Sequence, residues 1–437
     1  MGEQARMKKS IELGGVYPHL QEIIKTFILK SLTAISTFLF GLCVARFGEV
    51  EEAGRFFYVV ATICFLGTVV RLGLDQYIVR TVSALHGHSK SEDISAIYSN
   101  GLLTLILLLS PLALWAVFYD EPVVHISNAS LVLIVFLYAA IYFHSFFFQA
   151  VRILFWYQVF QGLGASSTFL FISTFIYLIL GNVGFGLFLN AYLISHAAIL
   201  ALAVVMWART GCGLRFKTLK LPQSFKMIKD AVVWLPPMLM FIVFGWFGQI
   251  MLGIFSSDSE VALYSISIQV SMLIYLIPMS INAYSMPNYA KYLHQEGGEN
   301  LRKFFSFVVL VSFSFTLPLA LLVLYFSDFL LAMFGHNYSD ASNIVRILVI
   351  SQIFNVIGSS SFSLLVILGH HKAVTIASLS AVVFIFITTV FTIPILNGEK
   401  VGLAYAGGMT IYSFISLYFV FAYFSKCRYE QLQSAVN

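Results

Sequence analysis

Lys30 lies inside an apolar run, in step with Thr26, Thr33, Thr37 and Gly41. Spacings of 4, 3, 4 and 4 put these five on one face of a helix. An ammonium a turn or two inside a bilayer costs on the order of several kcal/mol unless it snorkels, pairs or meets water. Two readings are open. Lys30 snorkels to the membrane surface, or it lines a hydrated cavity and meets an anion. The small polar residues on its face favour the second. Lys25 sits nearer the end of the run and reads as a surface anchor.

Three more polar stripes run through apolar segments. One carries Tyr138, Tyr142, Ser145, Gln149 and Arg152; another carries Ser267, Ser271, Tyr275, Pro278 and Asn282; a third carries Gln352, Asn355, Ser359 and Ser363. Each keeps a three-or-four spacing, and each alone reads equally as glue between helices. Together, with hydroxyls, amides and phenols, they suit a cavity for a polyhydroxylated ligand. Arg71 and Asp75 form an i,i+4 pair. Its default reading is a structural salt bridge, and the sharper one gives Asp75 a coupling role, because intramembrane acids carry protons. Arg55 and Arg346 stand at span ends, as interfacial anchors or as a ring around a cavity mouth. Pro236 and Pro237, early in an apolar run, permit a kink or hinge.

Other chemistry is missing from the sequence. It contains no phosphate-binding loop, no G-x-S-x-G and no H-E-x-x-H. The four cysteines are scattered without a C-x-x-C, so no metal and no cofactor is expected. Single histidines such as His144 and His196 read as satisfied core residues, and His370-His371 as an exposed turn.

The elements that must position these residues are membrane spans. The chain has 437 residues, 59% hydrophobic and 10% charged, with mean hydropathy +0.89. An all-α polytopic membrane protein is expected, with spans at 24–46, 54–77, 98–119, 130–150, 155–181, 184–208, 231–255, 261–286, 304–327, 342–369, 373–396 and 401–424. The first run is long and lacks a cleavage site, so it is expected to be retained. With both termini cytoplasmic, inner loops collect Arg80, Lys90, Arg152, Arg209, Arg215, Lys220, Lys226 and Lys229, while outer loops collect Glu49, Glu51, Glu52, Asp120, Asp258 and Glu399. That bias accounts for most of the net charge of +5 without a nucleic-acid partner. The basic link 209–230 divides six spans from six, giving an expected N-terminal bundle, 1–215, and a C-terminal bundle, 216–437. Two tight turns, at Arg152 and at Gly369-His370-His371-Lys372, fall at matching places in the halves. Duplicated halves around a midplane cavity are a common transporter plan.

Several short motifs point to a family. Ala45-Arg46-Phe47-Gly48, Gly54-Arg55-Phe56-Phe57-Tyr58, Leu72-Gly73-Leu74-Asp75 and Val79-Arg80 resemble the opening of a polysaccharide-transport flippase of the multidrug/oligosaccharidyl-lipid/polysaccharide exporter superfamily. Met251-Leu252-Gly253-Ile254-Phe255 leading to Tyr264-Ser265, Phe334-Gly335-His336-Asn337-Tyr338, and Gly402-Leu403-Ala404-Tyr405-Ala406 resemble its second half. The resemblance implies twelve helices in two six-helix halves around a central V-shaped cavity. It implies movement of undecaprenyl-pyrophosphate-linked oligosaccharide units, for O-antigen or capsule, across a bacterial inner membrane. Polymerase and chain-length machinery are then expected associates, and H+ or Na+ the open choices of coupling ion. Lys30 best matches the family's headgroup-binding bases, followed by Arg55, Arg71 and Arg152. Tyr142, Gln149, Tyr275, Asn282, Gln352 and Asn355 are the expected polar lining. Gln249 departs from the pattern where relatives often carry an acid. The alternatives are a drug or cation antiporter of the same superfamily, and a membrane-embedded polymerase or ligase, which the short outer loops disfavour.

Overall fold

Strings of apolar residues with almost no charge leave the backbone one inexpensive solution in lipid, the helix. The computed structural model describes residues 28–86, 91–119, 121, 124–215, 218–232, 238, 242–295 and 298–436. A first group comprises α1 (Ile28–Phe47), α2 (Val50–Arg71), α3 (Leu74–His86), α4 (Ser91–Phe118), α5 (Asn128–Ala150), α6 (Leu154–Leu180) and α7 (Phe185–Ala208). A short helix, α8 (Leu221–Val232), follows. The second group comprises α9 (Val243–Phe255), α10 (Asp258–Gln295), α11 (Gly298–Tyr325), α12 (Ser327–Phe334), α13 (Ser342–Ile367), α14 (His371–Phe391) and α15 (Gly398–Val436). Among the described residues there is no strand, and 11 helices are long and apolar enough to cross a membrane. The expected seventh span, 231–255, lies partly outside the described residues; its first two residues end α8 and most of its described part is α9. Hydroxyls inside the spans return to the preceding turn, as Thr33 does to the Leu29 carbonyl at 2.9 Å and Ser195 to Ala191 at 2.6 Å.

Two differences from the expected spans have local causes. The span expected over 54–77 is broken, because Leu72 and Gly73 take φ of 43° and 82°, ending α2 before α3 begins. The eighth span continues as one helix of 38 residues, roughly 57 Å long at ~1.5 Å per residue, well beyond a hydrocarbon layer of about 30 Å. Near its far end, Tyr289 joins Leu301, Phe305, Leu365 and Phe424 in a second apolar cluster, separate from the main core.

The matching turns share one hydrogen-bond pattern. At the α5–α6 turn, Arg152 N–H donates to the Gln149 carbonyl at 3.0 Å and Ile153 N–H to Phe148 at 2.9 Å. At the α13–α14 turn, Gly369 N–H donates to Val366 at 3.1 Å and His370 N–H to Leu365 at 3.0 Å. Arg152 adopts φ 62° where its counterpart Gly369 adopts 72°. Both are Schellman-type helix ends, with an arginine held in the conformation that favours glycine.

Each group packs into a lobe, with α2, α3, α4 and α7 around α5, and α13 between α10 and α15. The lobes meet mainly through α2 against α10 and α9. Their bonded contacts sit near the loops that carry Glu49, Asp258 and Glu399, here termed the acid-rich end. There Arg46 donates to the Ala332 and Met333 carbonyls at the end of α12, and Phe38 meets Phe334 edge to face at 5.3 Å. The turns with Arg152, Arg209 and Lys372 mark the opposite, base-rich end.

Close approach of α2 to the α9–α10 turn requires glycine. A Cβ on Gly54 would stand 1.7 Å from the Asp258 carbonyl oxygen, and one on Gly253 would stand 2.2 Å from the Tyr58 ring. Gly54→Ala is therefore expected to disfavour this closed junction by about 1–3 kcal/mol, which is a shift of roughly fivefold to a hundredfold in conformer ratio. Oxidative cross-linking of an Arg55→Cys/Asp258→Cys pair measures it. An unchanged yield in the Gly54→Ala background would show that the junction has slack.

Candidate functional site

The candidate site is the interface between the lobes, together with one polar cluster inside each. On α1, Gly41 faces the second lobe directly: a Cβ there would overlap the Gln269 side chain of α10. Lys30 precedes Gly41 by 11 residues, which is about three helical turns, so it lies on the same side and roughly 16 Å closer to the base-rich end. Lys30 is half-buried, and among the described residues no carboxylate pairs with it. Thr33 turns toward α6, its methyl 3.5 Å from where a Gly162 Cβ would be, and Thr37 is exposed. Thr26 lies outside the described residues. The Gln269 carbonyl oxygen is buried without a hydrogen-bond partner.

The first lobe encloses an ion pair. The Arg71 guanidinium is 4% exposed and lies 3.0 Å from an Asp75 carboxylate oxygen, across the break between α2 and α3. Its Nε donates to the Gly67 carbonyl at 3.1 Å and its Nη2 to Thr68 Oγ1 at 3.1 Å. It stacks 4.5 Å from the Tyr142 ring centre and 5.7 Å from that of Tyr138. Tyr142 OH in turn donates to the Gln161 carbonyl at 3.1 Å. A π-turn over Val159–Leu163, with Gly162 at φ 153°, interrupts the normal helix pattern around that carbonyl. The other Asp75 oxygen and the Gln149 carbonyl oxygen are buried without a hydrogen-bond partner. Arg152, the last member of this stripe, is exposed at the base-rich turn, away from the pair.

The second lobe encloses a neutral cluster. Asn355 donates to the Gln352 carbonyl oxygen at 3.0 Å, and Gln352 reaches Tyr405 OH at 3.5 Å. Tyr275 is half-buried on α10. Asn282 and Gln249 are buried, each with a side-chain carbonyl oxygen lacking a partner.

At the acid-rich end Arg55 is occupied. Its Nε lies 2.8 Å from one Asp258 oxygen, while His125 Nε2 lies 3.4 Å from the other. Pro236 and Pro237 lie outside the described residues. The two core histidines are satisfied: Tyr98 OH and His144 Nε2 are 3.0 Å apart, His144 Nδ1 lies 2.7 Å from the Ala140 carbonyl, and His196 Nδ1 lies 2.9 Å from Tyr192. Among the described residues no group of three or more His, Cys, Asp or Glu could hold a metal.

Sequence reasoning missed Gln269, Gln161, Tyr405, His125 and the pairing of Asp258 with Arg55. Gly162 and Gly164 in one apolar span were the available sign of the π-turn. His125 is a loop residue with no periodicity to betray it.

The comparisons bear on this arrangement. Residues 19–292 match the family model described as polysaccharide biosynthesis protein, and residues 236–391 match the MatE model. No curated protein sequence matches the chain significantly. Among solved structures, the chain resembles the inward-facing conformation of a multidrug resistance MATE family transporter of the MOP superfamily, with TM-score 0.68, 16% identity and coverage of 91% of this chain and 95% of that one. It resembles the lipid II flippase MurJ in an inward closed conformation with TM-score 0.68, 14% identity, and coverage of 91% and 87%. An outward-facing MATE conformation gives TM-score 0.57 at 16% identity, covering 94% and 96%.

Proposed function

The chain belongs to the polysaccharide biosynthesis protein family, within the MOP fold, and on that premise we propose that it is a flippase for polyprenyl-pyrophosphate-linked oligosaccharides. The observation that carries this reading is the charge of the interior. Lys30 is a half-buried cation about three turns from Gly41, which faces the second lobe, and the two carboxylates of Asp75 and Asp258 are already engaged by Arg71 and Arg55. An anionic, hydroxyl-rich headgroup suits a cation among hydroxyls, and its polyprenyl tail stays in lipid. The lobes, expected as bundles 1–215 and 216–437 but with the link helix α8 packed on the first, rock about the acid-rich junction. The base-rich end faces the cytoplasm and the substrate enters there. Arg55, Asp258 and His125 latch the opposite mouth, and Asp75 is the site through which H+ or Na+ biases the cycle. Bond-breaking is assigned to other proteins, with polymerase and chain-length machinery as partners.

The test is transport by the purified protein in vesicles. Translocation of a fluorescent pyrophosphate-linked glycolipid is expected, with little efflux of organic cations. The MatE match over 236–391 favours the second reading, a drug or cation antiporter. Cation efflux without glycolipid movement would establish that reading instead. Orientation is checked by cysteine labelling in cells, with the water-accessible positions within 211–228 expected to be cytoplasmic and those within 120–127 periplasmic. The reverse pattern overturns the assigned direction.

A further inference from the structure

The link helix α8 is an element that the transport reading leaves unused. At about 100° per residue, its side chains sort into four successive strips. Ser224, Met227 and Ala231 are buried and pack toward α4 and α3. The next strip round the helix, Leu221, Phe225 and Val232, is apolar and exposed, with Phe225 62% open. Lys226 and Lys229 come next, both exposed, and Gln223 and Asp230 complete the turn. Protein, hydrocarbon, headgroup and water would meet an in-plane helix at a bilayer surface in that order.

The attachment of the helix fixes its depth independently. Asn100 of α4 is fully buried; it donates to the Thr218 carbonyl at 2.9 Å and accepts from Lys220 N–H at 2.8 Å. Arg215 N–H donates to Ser99 Oγ at 2.9 Å, and Met227 packs beside Gly101. Glu92 and Asp93 lie on one side of this level, and the apolar stretch Leu102–Leu109 begins on the other. Asn100 stands 7 residues beyond Asp93, or roughly 10 Å along the axis. The helix is therefore held at the boundary between charge and hydrocarbon.

We propose that α8 is an in-plane anchor that binds the anionic phospholipid surface at the base-rich end, with Leu221, Phe225 and Val232 in the acyl boundary and Lys226 and Lys229 on the headgroups. Its ties to α4 make it part of the first lobe, so the anchor holds that lobe in the bilayer. The proposal is independent of the transported substrate.

The experiment uses the full chain with Phe225→Cys and Cys427→Ser, labelled at position 225 with an environment-sensitive fluorophore, in vesicles of phosphatidylcholine and phosphatidylglycerol. Cys43, Cys64 and Cys212 are buried. Brominated-chain lipids are expected to quench the label and aqueous iodide to do so weakly. Brominated phosphatidylglycerol should quench more effectively than brominated phosphatidylcholine. Lys226→Gln and Lys229→Gln should each weaken that preference roughly fivefold, the equivalent of the ~1 kcal/mol gained per basic side chain at an anionic surface. Dominant iodide quenching would place the apolar strip in water and overturn the anchor. Equal quenching by the two lipids in the lysine-bearing protein would overturn anionic recognition, whatever the substrate assay shows.

Discussion

Lys30→Ala is expected to reduce glycolipid translocation about tenfold or more while leaving membrane insertion and thermal stability unchanged. The half-buried ammonium lies in line with Gly41 and, among the described residues, has no carboxylate partner to lose. A charge-assisted hydrogen bond to a pyrophosphate contributes roughly 1.5–3 kcal/mol, and each 1.4 kcal/mol is about a factor of ten. Lys30→Arg keeps the charge and should keep most of the activity, with altered geometry. Initial rates in vesicles, at matched protein content, measure both. Wild-type rates in the alanine variant would remove Lys30 from substrate recognition and return it to the surface-anchor reading.

The second large effect concerns stability. Asp75→Ala leaves the Arg71 guanidinium buried with its counter-ion gone, and should lower stability by about 3–5 kcal/mol. The remaining carbonyl, hydroxyl and aromatic contacts of Arg71 do not supply a negative charge. Replacing both partners, Arg71→Met with Asp75→Leu, removes the uncompensated charge and should recover most of the loss. Melting temperatures of the purified variants decide this. The same double variant separates structure from coupling: it should fold yet lose its response to an imposed ion gradient. A folded double variant that still responds fully would limit Asp75 to a structural role.

The stripe through Tyr138, Tyr142, Ser145, Gln149 and Arg152 shows how much of the site was legible. Periodicity placed Tyr138, Tyr142, Ser145 and Gln149 along one helix, and Tyr138 and Tyr142 do meet Arg71. The expected span end at 150 and the expected turn at Arg152 also match the helix end at Ala150, while the positive φ of Arg152 had no sign in the spacing. The stripe through Gln352 and Asn355 was legible as polar, but its partner Tyr405 is 53 residues from Gln352. Arg55 was visible as a charge at a span end, whereas its partner Asp258 stands 203 residues away. Such pairings depend on lobe packing, which leaves no local period in the chain.

By itself the sequence determined that the backbone would be helical and would cross the membrane many times. Excess apolar surface and the cost of unpaired backbone groups in lipid leave no other arrangement for these runs. It also determined where the charges would collect, since cations and acids are sorted among the loops. The tertiary structure decided which charges are free for a ligand. It spent Arg71 on Asp75 and Arg55 on Asp258, and left Lys30 half-buried without a carboxylate partner among the described residues. The reason is physical: a charge in a low-dielectric interior is defined by what lies within a few ångströms of it, and only the packing of α1, α2 and α10 brings those neighbours together.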